Sequence, residues 1–186
     1  MPSRNLHLRL AATASVPATL PWKIEEGYLR LASRNDREES VTLGVWGPGE
    51  LVIPNLIGCF PIEVFSISAV ALREVEPSAH QRDAFLLNQS LQTITLLRIS
   101  RSRPAETRLF QVLLWLGERF GRDSPRGVSL SFEKLNLTHQ NLAEISGLTR
   151  VTVTKALSHF RKAGLLQKEG AEDLLLRGSL DALNAR

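Results

Sequence analysis

The chain has 186 residues, of which 43% are hydrophobic and 23% charged, and it carries a formal net charge of +4 at pH 7. This suffices for one large or two small domains with a buried core, and no apolar run approaches the roughly 20 residues that a membrane-spanning helix needs. The N-terminus lacks an apolar stretch followed by a cleavage site, so a cytoplasmic location is expected; the modest positive excess fits a nucleic-acid partner without establishing one.

Residues 1–18 are rich in Ala, Ser and Thr and are expected to be irregular and poorly ordered. Residues 19–76 read as strands, since Tyr28 to Leu31, Val41 to Trp46 and Val64 to Val75 are rich in β-branched and aromatic residues. Ser33 to Asp36 and Gly47-Pro48-Gly49 supply turns between them. Short strands at regular spacing predict a small antiparallel roll or barrel.

Residues 77–103 have a different period. Ala79 to Ser102 contains neither Gly nor Pro, and Ala84, Leu87, Leu91 and Ile94 recur at spacings of three, four and three, the seam of a pairing helix. Arg98 takes the next seam position and ends the apolar pairing. The seam admits two readings, a core helix packed on the strands or a dimer helix pairing with a second copy. In the second case Phe85, Leu86 and Leu97 remain to face the roll. Pro104 breaks or kinks this helix, which puts the domain boundary at Arg101–Pro104. A second helix is expected over Ala105–Phe120 with Leu109, Val112, Leu113, Leu116 and Phe120 on one face, followed by a polar loop from Gly121 to Gly127.

The densest information lies between Thr138 and Gly164. Thr138 is a good N-cap for a short helix that turns Leu142 and Ile145 inward. Ala143 is small where two helices cross, and Gly147, four residues on, permits a sharp turn with positive φ. Thr149 caps a second helix whose inward residues are Val153, Ala156, Leu157 and Phe160. Arg150, Val151, Thr152, Thr154 and Lys155 are left on its outward N-terminal turns, the end that enters a major groove in helix-turn-helix proteins. An arginine there can grip a guanine edge through two hydrogen bonds, and methyl groups of Val151 and Thr152 can meet a thymine methyl. A solvated charged face is the bland alternative.

Thr138 to Ala143 followed by Gly147 to Lys155 resembles the helix-turn-helix of the CRP/FNR regulators, in particular the cyanobacterial nitrogen-control branch. Glu26 to Leu31, and Val41 to Leu43 through Gly47 to Leu51, resemble the family's effector-domain roll. The resemblance implies an α+β chain with a shortened, cyclic-nucleotide-binding-like antiparallel β-roll, a long dimerisation helix and a C-terminal winged helix-turn-helix over residues 104–186. It implies base contacts by Arg150, Val151 and Lys155 and phosphate contacts by Thr138, Gln140, Thr149 and Thr152. It implies a dimer interface through Ala84, Leu87, Leu91 and Ile94. Leu165 to Lys168 and Asp173 to Arg177 would form the wing, turning at Glu169-Gly170. Partners implied are double-stranded DNA, a second copy of the chain and RNA polymerase. Where many relatives have an acidic residue this chain has Val151, which favours a half-site like the nitrogen regulators' GTA…TAC over that of the cyclic-AMP regulator.

Cyclic-nucleotide binders of this family hold the ribose and phosphate with a Phe-Gly-Glu turn and a downstream Arg-Ser or Arg-Thr. Val52-Ile53-Pro54 and Phe65-Ser66 occupy those positions here, so neither accessible backbone donors nor a bidentate arginine are expected. No roll arginine matches that of a 2-oxoglutarate site either. The front of the roll is short, and the effector is left unidentified. Cys59 is alone, which excludes an intramolecular disulfide and a thiolate cluster. His7, His80, His139 and His159 lack metal-ligand spacing, and Gly47-Pro48-Gly49 lacks the Gly-Lys-Ser/Thr of a phosphate loop. No nucleophile elbow is present. No catalytic residue, metal or cofactor is therefore assigned. A ligand-binding roll with a vestigial DNA head remains the alternative to a sequence-specific regulator, and a metal-dependent roll enzyme lacks the ligands it needs.

Overall fold

A computed structural model describes residues 6–34, 39–58, 61–176, 178 and 183. The chain divides into two compact units, Met1–Leu96 and Leu97–Arg186. The division falls inside the long helix, a little before the Arg101–Pro104 boundary expected from the sequence.

The first unit holds strands β1 (His7–Leu10), β2 (Ser15–Val16), β3 (Trp22–Glu26), β4 (Leu29–Arg34), β5 (Ser40–Trp46), β6 (Leu51–Val52), β7 (Ile62–Ser66) and β8 (Val70–Glu74). They form two antiparallel sheets, ordered β1-β8-β3-β6 and β2-β7-β4-β5. Trp22, Ile24, Leu29, Leu31, Trp46, Val52, Val64 and Leu72 share one buried cluster, the expected result of inward-facing apolar positions closing a roll. At Gly27, φ is +80° and an added Cβ would lie 2.1 Å from the Ala69 carbonyl oxygen, so only glycine fits this corner.

Three expectations need correction here. The first 18 residues are not uniformly irregular, because β1 pairs with β8 and β2 with β7. Val16 enters the core, and the buried Ser66 hydroxyl donates to the Ala11 carbonyl while accepting the Ala14 N–H. Partner strands thus order a stretch whose own composition is weakly β-forming. Val64 to Val75 is two strands separated at residues 67–69. Ser33 and Arg34 belong to β4, where they pair with Val41 and Ser40, and the Asn35 and Asp36 of the expected loop lie outside the described residues, as does Cys59. Gly47-Pro48-Gly49 is a turn as expected, with Gly49 at φ +84° and the Glu50 N–H donating to the Gly47 carbonyl at 3.1 Å.

Helix α1 (Ala79–Ser100) presents two apolar faces. Phe85 is buried, with its ring 5.1 Å from that of Trp46. Gln89 and Gln92 are buried beside it: Gln89 Nε2 donates to the Leu43 carbonyl and Gln92 Oε1 accepts the Val45 N–H, each at 2.8 Å. These bonds offset part of the cost of desolvating two amides, whose Gln89 Oε1 and Gln92 Nε2 are buried without a partner among the described residues. The seam faces the other way. Leu87 is 64% exposed and Leu91 and Ile94 each 55%, and Ala84 is exposed with them. Leu86 and Leu97, expected to face the roll, are exposed as well. Phe85 occupies the inward position, and its neighbour projects roughly 100° around the helix.

The second unit contains α2 (Ala105–Phe120), β9 (Arg122–Ser124), β10 (Gly127–Leu130), α3 (His139–Ser146), α4 (Arg150–Lys162), β11 (Leu166–Glu169) and β12 (Glu172–Leu176). Helix α2 has the bounds its apolar period predicts, and buries Leu109, Val112, Leu113 and Leu116. Phe110 of α2 meets Phe160 of α4 edge-to-face at 5.2 Å. The expected polar loop over Gly121–Gly127 is instead a hairpin, because β9 pairs with β10 and β10 joins the wing in the order β11-β12-β10-β9. Arg122-Asp123-Ser124 sits at the sheet edge and buries little, so no apolar alternation marks it.

Candidate nucleic-acid interface

The interface is built by two capped helices and the turn between them. Thr138 Oγ1 accepts the Asn141 N–H at 3.1 Å, which satisfies one of the free donors at the start of α3. Gly147 ends α3 in the left-handed region at φ +65°, and its N–H reaches the Ala143 carbonyl. Thr149 repeats the capping device for α4, accepting the Thr152 N–H at 3.1 Å. Leu142, Ala143, Ile145, Val153, Ala156, Leu157 and Phe160 are all buried, so apolar burial fixes which face of α4 looks outward.

That outward face carries the residues the sequence singles out. Arg150 and Lys155 are exposed, and Val151 is exposed at 63%, an isolated apolar side chain among polar neighbours. Lys155 lies five residues after Arg150, so the two cations share the first turns of α4, where the helix dipole adds a positive field. The Thr149 and Thr152 hydroxyls stand 2.8 Å apart, a pair of donors and acceptors at the helix N-terminus suited to a phosphate oxygen. Thr138 and Gln140 lie at the start of α3. Gln140 Nε2 donates to Glu144 Oε1 at 3.0 Å, so part of its donor capacity is used inside the helix.

The seam residues Ala84, Leu87, Leu91 and Ile94 belong to the other unit and form an exposed stripe along α1.

The wing is β11 and β12, turning at Gly170-Ala171 with Gly170 at φ +60°, one residue beyond the expected turn. Arg177, expected in the second strand of the wing, lies outside the described residues. The tip of the wing is acidic but tied down: Arg122 Nη2 meets Glu172 at 2.8 Å, and Arg126 meets Glu169. Asp173 is buried and paired with Lys168 at 3.1 Å, the arrangement a buried carboxylate requires. At the far end of α4, His159 Nδ1 lies 3.0 Å from a Glu106 carboxylate oxygen on α2.

One contact was not legible in the sequence. His139, the first residue of α3, places its Nδ1 2.8 Å from Thr154 Oγ1 on α4. This bond joins the two helices on the polar side of their crossing.

The first unit carries the Val52-Ile53-Pro54 and Phe65-Ser66 positions. The buried Pro54 opens a single turn of 3-10 helix whose Asn55 and Leu56 are exposed, and Phe65 carries the Arg30 guanidinium 5.2 Å above its ring. Arg30 is itself buried and donates to the Ser40 and Thr42 hydroxyls. Among the described residues no group of three or more His, Cys, Asp or Glu is placed to hold a metal ion, and no helix is long and apolar enough to cross a membrane.

Residues 107–185 match the family model described as a Crp-like helix-turn-helix domain. The chain is 37% identical over 151 residues to the regulatory protein CysR of Synechococcus elongatus, covering 81% of this chain and 73% of that protein. It is 34% identical over 110 residues to the global nitrogen regulator of the same organism, covering 57% of this chain and 48% of that protein. Among solved structures it is similar to TTHB099, a CRP-family transcriptional regulator from Thermus thermophilus, with a TM-score of 0.71, 18% identity, and coverage of 96% of this chain and 97% of that one.

Proposed function

The chain belongs to the CRP/FNR family of transcription regulators and is a DNA-binding regulator of the family's cyanobacterial branch; on that premise we propose that it acts as a homodimer on a near-palindromic site. The observation that carries this reading is the capped N-terminus of α4, which holds Arg150, Val151 and Lys155 outward on a helix fixed from behind by its apolar face. Arg150 and Lys155 read base edges, Val151 meets a thymine methyl, and Thr138, Gln140, Thr149 and Thr152 meet phosphates. Pairing of α1 with its counterpart through Ala84, Leu87, Leu91 and Ile94 brings two such heads together. Two recognition helices spaced by about 34 Å then enter successive major grooves on one side of the duplex.

The half-site proposed is of the GTA…TAC kind, on the strength of Val151 and its flanking residues. Cyclic nucleotides do not control binding in this reading, because Val52-Ile53-Pro54 and Phe65-Ser66 supply neither the open backbone donors nor the arginine that such an anion needs. The regulator works in the cytoplasm and exerts its effect through RNA polymerase. Selection from a random duplex pool tests this: two like half-sites in inverted repeat, one helical turn apart, are expected. A pool that stays random after repeated selection contradicts the reading.

A further inference from the structure

We infer that His139 is a proton-linked phosphate contact, so that DNA affinity rises as pH falls through the imidazole range. The inference rests on the DNA-binding reading above and adds a residue and a control to it.

The hydrogen-bond chain on the polar side of the α3–α4 crossing fixes the ring's tautomer. Thr154 Oγ1 lies 2.9 Å from the Arg150 carbonyl and 2.8 Å from His139 Nδ1. A carbonyl cannot donate, and a threonine hydroxyl has a single proton. That proton goes to Arg150, so the hydroxyl can only accept from the ring, and Nδ1 carries a hydrogen. In the neutral ring Nε2 is then a bare acceptor. Among the described residues Nε2 has no hydrogen-bond partner and is not buried. His139 stands between Thr138 and Gln140 in the sequence, as the first residue of α3, and Thr154 is exposed on α4 as Arg150 and Lys155 are.

A bare acceptor repels a phosphate oxygen; an imidazolium donates to it and adds a charge-assisted bond. No carboxylate in the described protein supplies that stabilisation beforehand. Glu144 on α3 accepts from Gln140, and Glu106 on α2 is held by His159. Arg119 of α2 lies over the Trp115 and Phe120 rings, and the remaining charges near Thr154 on α4, Arg150 and Lys155, are cations. The phosphate is therefore the group that draws a proton onto Nε2, and complex formation takes up one proton per head.

The test is fluorescence anisotropy of the full chain with a GTA…TAC duplex at constant ionic strength from pH 6 to 8.5. Wild type is expected to lose affinity with rising pH, approaching tenfold per unit per head where the slope is steepest. His139→Gln should bind with a flat profile. Thr154→Val removes the acceptor that fixes the tautomer, so Nε2 can carry the hydrogen in the neutral ring and the slope should fall. Imidazole nitrogen shifts should show Nε2 bare in the free protein and protonated in the complex. Selective binding with a flat wild-type profile, or a His139→Gln profile as steep as wild type, overturns this inference and leaves the DNA-binding reading intact. No binding of any duplex at any pH overturns both.

Discussion

Replacing Leu91 and Ile94 by alanine together tests the role of the α1 seam. Each side chain is 55% exposed in the single chain, so each retains about half of its apolar surface to bury in a dimer. Full burial of a Leu or Ile stabilises by about 1.5–3 kcal/mol, so the exposed half contributes about 1 kcal/mol. A symmetric interface counts both residues twice, and the loss is about 4 kcal/mol. At 1.4 kcal/mol per decade this raises the dimer dissociation constant about a thousandfold. The fold of the single chain should survive, because the inward face of α1 (Phe85, Gln89 and Gln92) is untouched. Sedimentation equilibrium over a concentration series, with circular dichroism as the control for folding, measures the effect. A folded double variant with the wild-type dissociation constant would refute the seam.

Two further outcomes follow from local physics. Gly147→Ala should lower stability by about 1–2 kcal/mol, because a left-handed backbone is costly for any side chain with a Cβ; nothing lies within 4 Å of the added Cβ, so a melting curve reports the backbone term without a clash. Burial raises the Tyr28 phenol above its ordinary range near 10. The folded state then holds its proton more tightly than the unfolded state, and the contribution is complete below the unfolded value and lost as pH rises past about 10. Denaturant titrations of wild type and Tyr28→Phe should show a steeper alkaline decline in wild type.

The sequence disclosed elements whose determinants are local. The bounds of α2 follow from Pro104, Gly121 and the apolar spacing between them. The helix-turn-helix is written by Thr138, Gly147 and Thr149, each of which performs the capping or turning its chemistry suggests. Elements specified by a partner strand were not legible: β2 is two residues long and exists through Val64 and Phe65, and β9 is polar and exists through β10. Helix α1 carried too many apolar residues for one face, and spacing alone could not assign Leu86 and Leu97. The His139–Thr154 bond spans fifteen residues, and no local pattern announces a contact between side chains on two crossing helices.

Sequence reading by α4 is tested most directly by the anisotropy of a labelled GTA…TAC duplex with an eight-nucleotide spacer, titrated with wild type and Arg150→Ala against a scrambled competitor at several salt concentrations. Wild type is expected to bind selectively and with salt sensitivity, and the variant to lose selectivity by about 1–3 kcal/mol per half-site contact. Equal competition by the scrambled duplex, with Arg150→Ala indistinguishable from wild type, would contradict the claim that α4 reads sequence.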